Sequence, residues 1–195
     1  MRLIRPEECR RMPWKNGGGE TIEIVVAPEG AGLDDFDWRV SMARVAQGGP
    51  FSSFPGIDRT LAILDGAGVR LAIAGRQPVE LTTSSPPYSF PGDLPAAADL
   101  ADGPVRDLNV MTRRGVVEHA LDRLTIAGPR DLRLACDIAL LLCRCGRLDV
   151  ETADGTTPLD QDDALLLDPC PTEPLRLGPA ASAIVFVVRL RTARG

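Results

Sequence analysis

The 195-residue chain carries 22 lysine and arginine residues against 27 aspartate and glutamate residues, and 44% of its residues are hydrophobic. That composition is typical of a globular protein, and the length allows one domain or two small ones of roughly 95 residues each. The longest apolar stretch, 138–143, is too short to cross a bilayer, and the basic residues are too scattered to bind nucleic acid, so neither a membrane nor nucleic acid is an expected partner.

Alternating apolar and polar residues, bounded by glycine and proline, predict β-strands along most of the chain. Glycines between 65 and 68 predict a hairpin, and a single short helix is predicted near 95–101. Turn signals return roughly every 8 to 12 residues, which is typical of a sandwich or barrel. The predicted strands are 20–26, 36–45, 59–64, 69–73, 78–81, one within 88–93, 105–112, 131–144, 148–151, 164–167, 175–177 and 183–191.

The chain also repeats itself at an offset of about 80 residues. The segment that starts at Leu61 resembles the one that starts at Ala139, and each continues through a glycine turn into a proline-containing run. Two similar β-modules packed together fit the length. The predicted modules are 1–120, which includes an N-terminal arm, and a shorter one at 121–195.

Five cysteines stand at positions 9, 136, 143, 145 and 170, and the chain starts with no apolar signal segment. An odd number of cysteines without a signal segment predicts a cytoplasmic protein and no disulfide framework. Cys143 and Cys145 are interpreted as core thiols rather than a metal clip, because no second cysteine pair or histidine cluster completes a zinc site.

A first polar cluster, W-K-N-G-G-G-E-T at 14–21, precedes the first long predicted strand. Three consecutive glycines indicate a tight loop or a close approach to other atoms. Trp14, Asn16 and the only lysine, Lys15, would suit an anionic or carbonyl-bearing small molecule. The alternative is an arm that covers the barrel with Trp14.

A second cluster at 48–59 leads into an apolar strand that opens with Arg59. Arg59 has the same parity as Leu61 and Ile63, so it should point inward with them. A buried guanidinium needs a carboxylate, carbonyl groups or a ligand. Two interpretations are open. Arg59 forms a structural ion pair with Glu23 or Asp58, or Arg59 binds a ligand.

A third cluster at 107–114 places Asn109, Met111 and Arg113 on one face of a strand. Asn109 either orients a ligand at the mouth of a barrel or belongs to a solvated rim strand.

Residues 1–120 contain the strings W-K-N-G-G-G-E-T-x-E-I, F-D-W-R-V-S-M-A, G-P-F-S-S-F-P-G-I-D-R-T-L, L-D-G-x-G, F-P-G-D and D-L-N-V-M-T-R-R. In this order they resemble the HutD/Ves family of bacterial bicupins. The resemblance implies an all-β fold of two cupin-like antiparallel β-barrel or jelly-roll modules, often as a homodimer. It also implies a link to histidine utilisation and a proposed ligand of the urocanate or N-formylglutamate class.

The metal motif of cupins, two histidines and a glutamate, is a direct test of that resemblance. Counted from the turn at Gly66, the glutamate position falls on Arg59 and the histidine positions fall on Phe54 and Ser52. These side chains are unsuited to a first-row metal, and the single histidine, His119, lies outside the motif. No metal or other cofactor is predicted.

The residues predict a metal-free protein that binds a small anionic metabolite in the first module and acts as a regulator. The resemblance implies that the process it regulates or moderates is histidine utilisation. Arg59 and Lys15 would hold a carboxylate, and Glu23 would pair with one of them when the site is empty. Apolar walls and hydrogen bonds would come from the remaining candidates, namely Trp14, Asn16, Thr21, Ser41, Ser52, Phe54 and Asn109.

Two other functions remain open. One is a metal-independent isomerase or hydrolase of a small sugar or amino-acid derivative, with Glu23 and Lys15 as the proton-transfer pair. The other is protein contact, with the barrel as a scaffold.

Overall fold

The computed structural model of the chain describes residues 1–14 and 17–193, which form nineteen antiparallel β-strands and no helix. No helix with the length and apolar character of a membrane span therefore occurs within those ranges. The first eleven strands are β1 (Arg2–Ile4), β2 (Arg10–Pro13), β3 (Gly19–Ala27), β4 (Trp38–Val45), β5 (Gly49–Pro50), β6 (Ile57–Asp65), β7 (Val69–Ile73), β8 (Val79–Leu81), β9 (Tyr88–Pro91), β10 (Ala96–Leu100) and β11 (Val105–Arg113). They are followed by β12 (Val117–Ile126), β13 (Arg130–Leu132), β14 (Ile138–Cys145), β15 (Leu148–Thr152), β16 (Gly155–Leu159), β17 (Ala164–Leu167), β18 (Leu175–Pro179) and β19 (Ala183–Thr192).

The strands group into two compact units, here called the N-terminal unit (residues 9–117) and the C-terminal unit (residues 1–8 and 118–195). The sequence assigns residues 1–8 to the first module, whereas the structure places them in the C-terminal unit. The reason is strand pairing, because β1 runs antiparallel along β17 and satisfies the backbone groups of that strand.

The N-terminal unit consists of two sheets that share one core. The six-stranded sheet has the order β2-β3-β4-β11-β6-β9, and the four-stranded sheet has the order β5-β10-β7-β8. Leu61 and Ile63 of the larger sheet pack with Leu71 and Ala98 of the smaller one, and all four are buried. Period-2 alternation thus aims one face of each sheet at a common interior.

The C-terminal unit has the same construction. A five-stranded sheet, β1-β17-β14-β19-β12, faces a four-stranded sheet, β13-β18-β15-β16. Leu141 and Val185 from the first sheet pack with Leu148 and Leu177 from the second, and all four are fully buried. This core is entirely apolar at those positions and has the double-sheet form of a jelly roll.

The two units repeat one strand order, which is the structural counterpart of the sequence repeat. The run β4-β11-β6-β9 corresponds to β12-β19-β14-β17, and β5-β10-β7-β8 corresponds to β13-β18-β15-β16. The glycine turns correspond as well: Gly66 has a φ of +90° and Gly146 a φ of +82°. An added Cβ at Gly66 would lie 2.6 Å from the carbonyl oxygen of Pro104, and one at Gly146 would lie 2.5 Å from that of Ser182.

Replacement of either of these glycines by alanine is expected to lower the free energy of unfolding by at least about 2 kcal/mol. The loss combines left-handed strain with a clash against backbone. Gly75→Ala is the matched control, because Gly75 has a φ of +76° but no atom within 4 Å of an added Cβ, so only the strain of about 1 kcal/mol applies. Chemical denaturation checks this, and equal losses at all three positions would contradict the role of the close contacts.

Two local predictions are wrong. Residues 96–100 form β10 rather than a helix, because Ala96 and Ala98 pack into the core while the strand pairs with β7. The stretches 59–64 and 69–73 are strands joined by a glycine turn, but they lie in different sheets and do not form a hairpin. The turn carries the chain from one sheet to the other.

The predicted strand 131–144 is divided into β13 and β14. The sequence also misses β12, since the charged residues Glu118, Asp122 and Arg123 interrupt its alternation.

Candidate functional site

Three neighbouring strands of the six-stranded sheet, β4, β11 and β6, point side chains into the interior of the N-terminal unit. These side chains form rows that run across the three strands, with one residue from each strand in a row. Their register fixes which side chains are adjacent, because antiparallel partners lie directly opposite each other. The rows are Arg39–Met111–Arg59, Ser41–Asn109–Leu61 and Ala43–Asp107–Ile63. Polar groups therefore collect at one end of a core that is otherwise apolar.

A cavity of about 610 Å³ lies against these rows. Its size suits a small-molecule ligand. Glu23 is not among its lining residues, and Lys15 and Asn16 lie outside the described residues. The predicted site residues that do line it are Trp14, Thr21, Ser41, Ser52, Phe54, Arg59 and Asn109.

Arg59 is buried and points into the cavity, as its parity predicts; 9% of its surface is exposed. Its Nε donates a hydrogen bond to Oδ1 of Asn109 at 2.7 Å, and its Cζ lies 4.4 Å from the centroid of the Phe51 ring. Desolvation lowers the pKa of Arg59 to about 10, against a smaller raising effect of Asp107, so the guanidinium stays charged at neutral pH. Among the described residues its hydrogen bonding uses Nε alone, which leaves both Nη groups for a ligand.

Asp107 is the carboxyl group beside this arginine, and only 3% of it is exposed. Asn109 Nδ2 donates to Asp107 Oδ1 at 2.5 Å, so the amide connects the guanidinium to the carboxyl group. Burial raises the pKa of Asp107 to about 7, although the charge of Arg59 opposes the shift. A register shift between Arg106 and Asp107 marks a β-bulge, a feature that re-aims side chains next to sites.

Arg39 is the second buried guanidinium in the lining, with 5% of it exposed. Its Nε donates to Oε2 of Glu23 at 2.7 Å. The predicted pairing of Glu23 with Arg59 is therefore wrong, and the alternative pairing with Lys15 lies outside the described residues. Glu23 lies opposite Ser41, on the same face of β4 as Arg39, and its carboxylate reaches that arginine.

Asp58, the other predicted structural partner of Arg59, instead forms a salt bridge with Arg114 at 2.8 Å. Asp58 has the opposite parity to Arg59 on β6, so its side chain leaves the interior.

Trp14 forms one wall of the cavity, and its indole Nε1 donates to Oγ1 of Thr21 at 2.8 Å. The glycines that follow make this packing possible. Gly17 has a φ of +71°, and a Cβ at Gly19 would lie 3.0 Å from the Trp14 ring and 2.4 Å from the carbonyl oxygen of Arg44. Of the two alternatives predicted from the three glycines, a tight loop or a close approach, the close approach is present at Gly19.

The equivalent positions of the C-terminal unit provide an internal reference. In the N-terminal unit Arg59 lies opposite Met111 on the neighbouring strand, and in the C-terminal unit Ala139 lies opposite Arg189. The strand pair β6–β11 and the strand pair β14–β19 also carry a bulge at equivalent positions. On this alignment, the counterparts of Arg59, Asp107 and Asn109 are Ala139, Val185 and Val187, all buried in the apolar core. The fold therefore does not require polar groups at these positions.

The side chains of the cavity do not fit a divalent metal ion. A cupin metal site needs several imidazole or carboxylate ligands on one point. Across residues 1–14 and 17–193 no three histidine, cysteine, aspartate or glutamate side chains come together in that way. Asp107, the carboxyl group in the lining, is instead hydrogen-bonded to Asn109.

Sequence reasoning missed several lining residues, of which Arg39, Asp107 and Phe51 have the strongest effect on the site. Asp107 shares the parity of Asn109, and Arg39 shares that of Ser41, so the period-2 pattern contained the signal for both. Phe51 follows a two-residue strand, β5, that has no periodicity to reveal its orientation. The cavity is also lined by Met12, Pro13, Leu33, Ala43, Pro50 and Met111.

The HutD family model matches residues 6–185 of the chain. An uncharacterised 21.2 kDa protein in the hutC 3′ region of Pseudomonas putida is 40% identical over 111 residues, which span 57% of each chain. Protein Ves of Citrobacter koseri is 40% identical over 111 residues, which span 55% of this chain and 56% of that protein. The match thus spans somewhat more than half the length of these curated relatives.

Solved structures match over nearly the whole chain. A conserved protein of unknown function from Pseudomonas aeruginosa superposes with a TM-score of 0.90 at 31% identity, covering 97% of this chain and 98% of that one. HutD from Pseudomonas fluorescens superposes with a TM-score of 0.84 at 28% identity, covering 100% and 99%. A cupin 2 conserved barrel domain protein from Leptotrichia buccalis, 7% identical with a TM-score of 0.60 over 93% of this chain and 96% of that one, shares the fold. The predicted cupin-like, all-β fold is confirmed.

Proposed function

The chain belongs to the HutD family, which is linked to histidine utilisation, and on that premise we propose that its N-terminal unit binds a small carboxylate-bearing metabolite and thereby moderates this pathway. The observation that carries the proposal is Arg59, a buried guanidinium that lines a cavity and whose hydrogen bonding to the described residues uses Nε alone. A buried cation of this kind is stabilised by an anion, and a carboxylate matches its two parallel donors.

The charge of the cavity favours an anionic ligand. Arg39 and Arg59 contribute two positive charges, Glu23 neutralises one of them by direct contact, and Asp107 is largely protonated below pH 7. One positive charge therefore remains for the ligand in mildly acidic and near-neutral solution. As Asp107 ionises, it competes with the ligand for Arg59.

The walls of the cavity favour a ligand with an unsaturated or apolar body. Trp14, Phe51, Phe54 and Met111 contribute aromatic and thioether surface beside the polar row. A carboxylate on a short conjugated or amide-bearing skeleton, such as urocanate or N-formylglutamate, combines the charge and the surface. The structure of HutD from Pseudomonas fluorescens was determined in a formate condition, and formate is the simplest carboxylate.

Isothermal titration calorimetry with urocanate, N-formylglutamate, glutamate and formate tests the proposal. We expect saturable binding of at least one of the larger acids and weaker binding of formate, which makes fewer wall contacts. Urocanate methyl ester is the matched control, since it keeps the ring but lacks the charge, and it should bind much more weakly than urocanate. Absence of heat and of any thermal shift with all four acids would refute the proposal.

A further inference from the structure

Away from the carboxylate cavity, the C-terminal unit brings two thiols into contact. The Sγ atoms of Cys136 and Cys170 lie 3.5 Å apart although the residues are 34 positions apart in the chain. The backbone N–H of Cys170 donates to the carbonyl oxygen of Asp137 at 2.7 Å, which ties the two segments together. Both thiols also pack against the core of the unit. Their proximity is therefore built into the fold.

The pair is accessible to a small reagent. Cys136 and Cys170 are each half-buried, and both line a cavity of about 560 Å³ that lies entirely within the C-terminal unit. A cavity of this size accommodates a small peptide or metabolite. It therefore allows a reagent to reach either sulfur.

The charges around the pair favour an anionic reagent. Arg133 and Arg191 line the cavity, and both are exposed. The carboxylate in the lining, Asp137, accepts hydrogen bonds from the backbone N–H of Thr192 at 2.8 Å and from its hydroxyl at 3.0 Å. The cavity thus presents two guanidiniums against one carboxylate that is already hydrogen-bonded.

The backbone beside the pair is strained. Ala135 adopts a φ of +50°, a conformation that residues with a side chain rarely adopt. The carbonyl oxygen of Ala135 accepts hydrogen bonds from Arg191, at 2.8 Å from Nη2 and 3.2 Å from Nε. Strain held in place by a specific side chain is typical of functional sites.

We propose that Cys136 and Cys170 form a dithiol site that reacts with small anionic disulfides. In the first step the Cys136 thiolate attacks one sulfur of the disulfide, forming a mixed disulfide and releasing one thiolate. In the second step the Cys170 thiol loses its proton to solvent and attacks Sγ of Cys136, releasing the second thiolate. Two protein thiols are oxidised to one disulfide, and the small disulfide is reduced to two thiols.

The order of the steps follows from the surroundings of each thiol. Burial, followed by the contact with Cys136, raises the pKa of Cys170 to about 12, so its thiolate forms only with difficulty in the free protein. Covalent modification of Cys136 holds the reacting sulfur next to Cys170, and this proximity compensates for the low thiolate population.

The test uses the full chain with two probes of opposite charge, oxidised glutathione and cystamine, and non-reducing peptide mass spectrometry. We expect the wild-type protein to form the Cys136–Cys170 disulfide. Cys170→Ser should stop at the mixed disulfide on Cys136, and Cys136→Ser should form neither product. Cys145→Ser is the matched control and should behave as the wild type, because Cys145 is exposed and lies outside the cavity.

A second test asks whether the positive charge of the cavity, rather than mere exposure of the thiols, directs the reaction. Arg133→Gln is the suitable variant, because Arg191→Gln would also remove the hydrogen bonds to the backbone at Ala135. It leaves both cysteines in place and therefore serves if a cysteine variant fails to fold. It should slow the reaction with oxidised glutathione several-fold and leave the reaction with cystamine unchanged or faster. The proposal is overturned if wild-type Cys136 and Cys170 stay reduced, if glutathionylation is as fast at Cys145 as at Cys136, or if Arg133→Gln affects both probes equally.

Discussion

Replacing Arg59 with alanine is expected to weaken carboxylate binding by at least about a hundredfold. The guanidinium of Arg59 is buried and lines the cavity, whereas the other guanidinium of the lining, Arg39, is already paired with Glu23. A desolvated charge–charge contact is worth far more than an exposed one, so its removal should dominate the loss in affinity. Calorimetry with the acid that binds the wild-type protein best measures the effect.

Two further variants sharpen this prediction. Arg59→Lys keeps the positive charge but loses the planar pair of donors, so it should retain only part of the affinity. Arg70→Ala is the matched control, since Arg70 is exposed on β7 and does not line the cavity. If Arg59→Ala and Arg70→Ala had the same small effect, Arg59 would not be the anion-binding group.

A triple variant distinguishes loss of the ligand contact from loss of the fold. Arg59→Ala, Asp107→Val and Asn109→Val together copy the residues that the C-terminal unit uses at the same places. Replacement of a buried polar set by apolar residues is often neutral or stabilising. We expect this variant to unfold at no lower denaturant concentration than the wild type and to bind no carboxylate.

The second large effect is a dependence of stability on pH between about 4 and 7. The pKa of Asp107 is raised from 3.8 to about 7 in the folded protein, mainly by burial. Between these values the folded state holds a proton that the unfolded state has lost. The free energy of unfolding should therefore fall as pH rises through this window, by up to about 1.4 kcal/mol per pH unit, and level off above it.

Asp107→Asn should abolish that slope, because an amide does not titrate, and its oxygen can still accept the hydrogen bond from Asn109. Denaturant titrations at several pH values check the result. Both proteins should carry His119→Gln, which removes the only histidine of the chain from the same pH window. If the slope persisted in the Asp107→Asn variant, its source would lie elsewhere.

The affinity for a carboxylate ligand should depend on the protonation state of Asp107. Below pH 7 the neutral Asp107 leaves the charge of Arg59 to the ligand, and above it the ionised carboxylate competes. Affinity should thus fall by up to about tenfold per pH unit above pH 7, and Asp107→Asn should be insensitive to pH over that range.

The alternation of apolar and polar residues predicted which face of β6 points inward, and therefore the orientation of Arg59. This prediction succeeded because alternation along one strand depends only on residues that are neighbours in the chain. Pairing across strands depends on register, and the bulges near Glu23 and Asp107 change that register locally. The partners of Arg59 were therefore beyond prediction from alternation alone. Alternation also left the partner of Glu23 open between Arg59 and Lys15, and the structure shows its contact with Arg39.

The wrong helix at 95–101 has a similar origin. Three alanines in a row have high helix propensity, but the four-stranded sheet offers β10 backbone partners and a core to pack into. Tertiary context outweighs local preference in so short a segment.

The shared strand order of the two units is what gene duplication leaves behind, and the copies have since diverged. One copy has a hydrocarbon interior at the positions where the other keeps Arg59, Asp107 and Asn109. Because only one unit has a polar interior at these positions, the chain has a single candidate carboxylate site. The stoichiometry should reflect that history, with one acid bound per polypeptide rather than two.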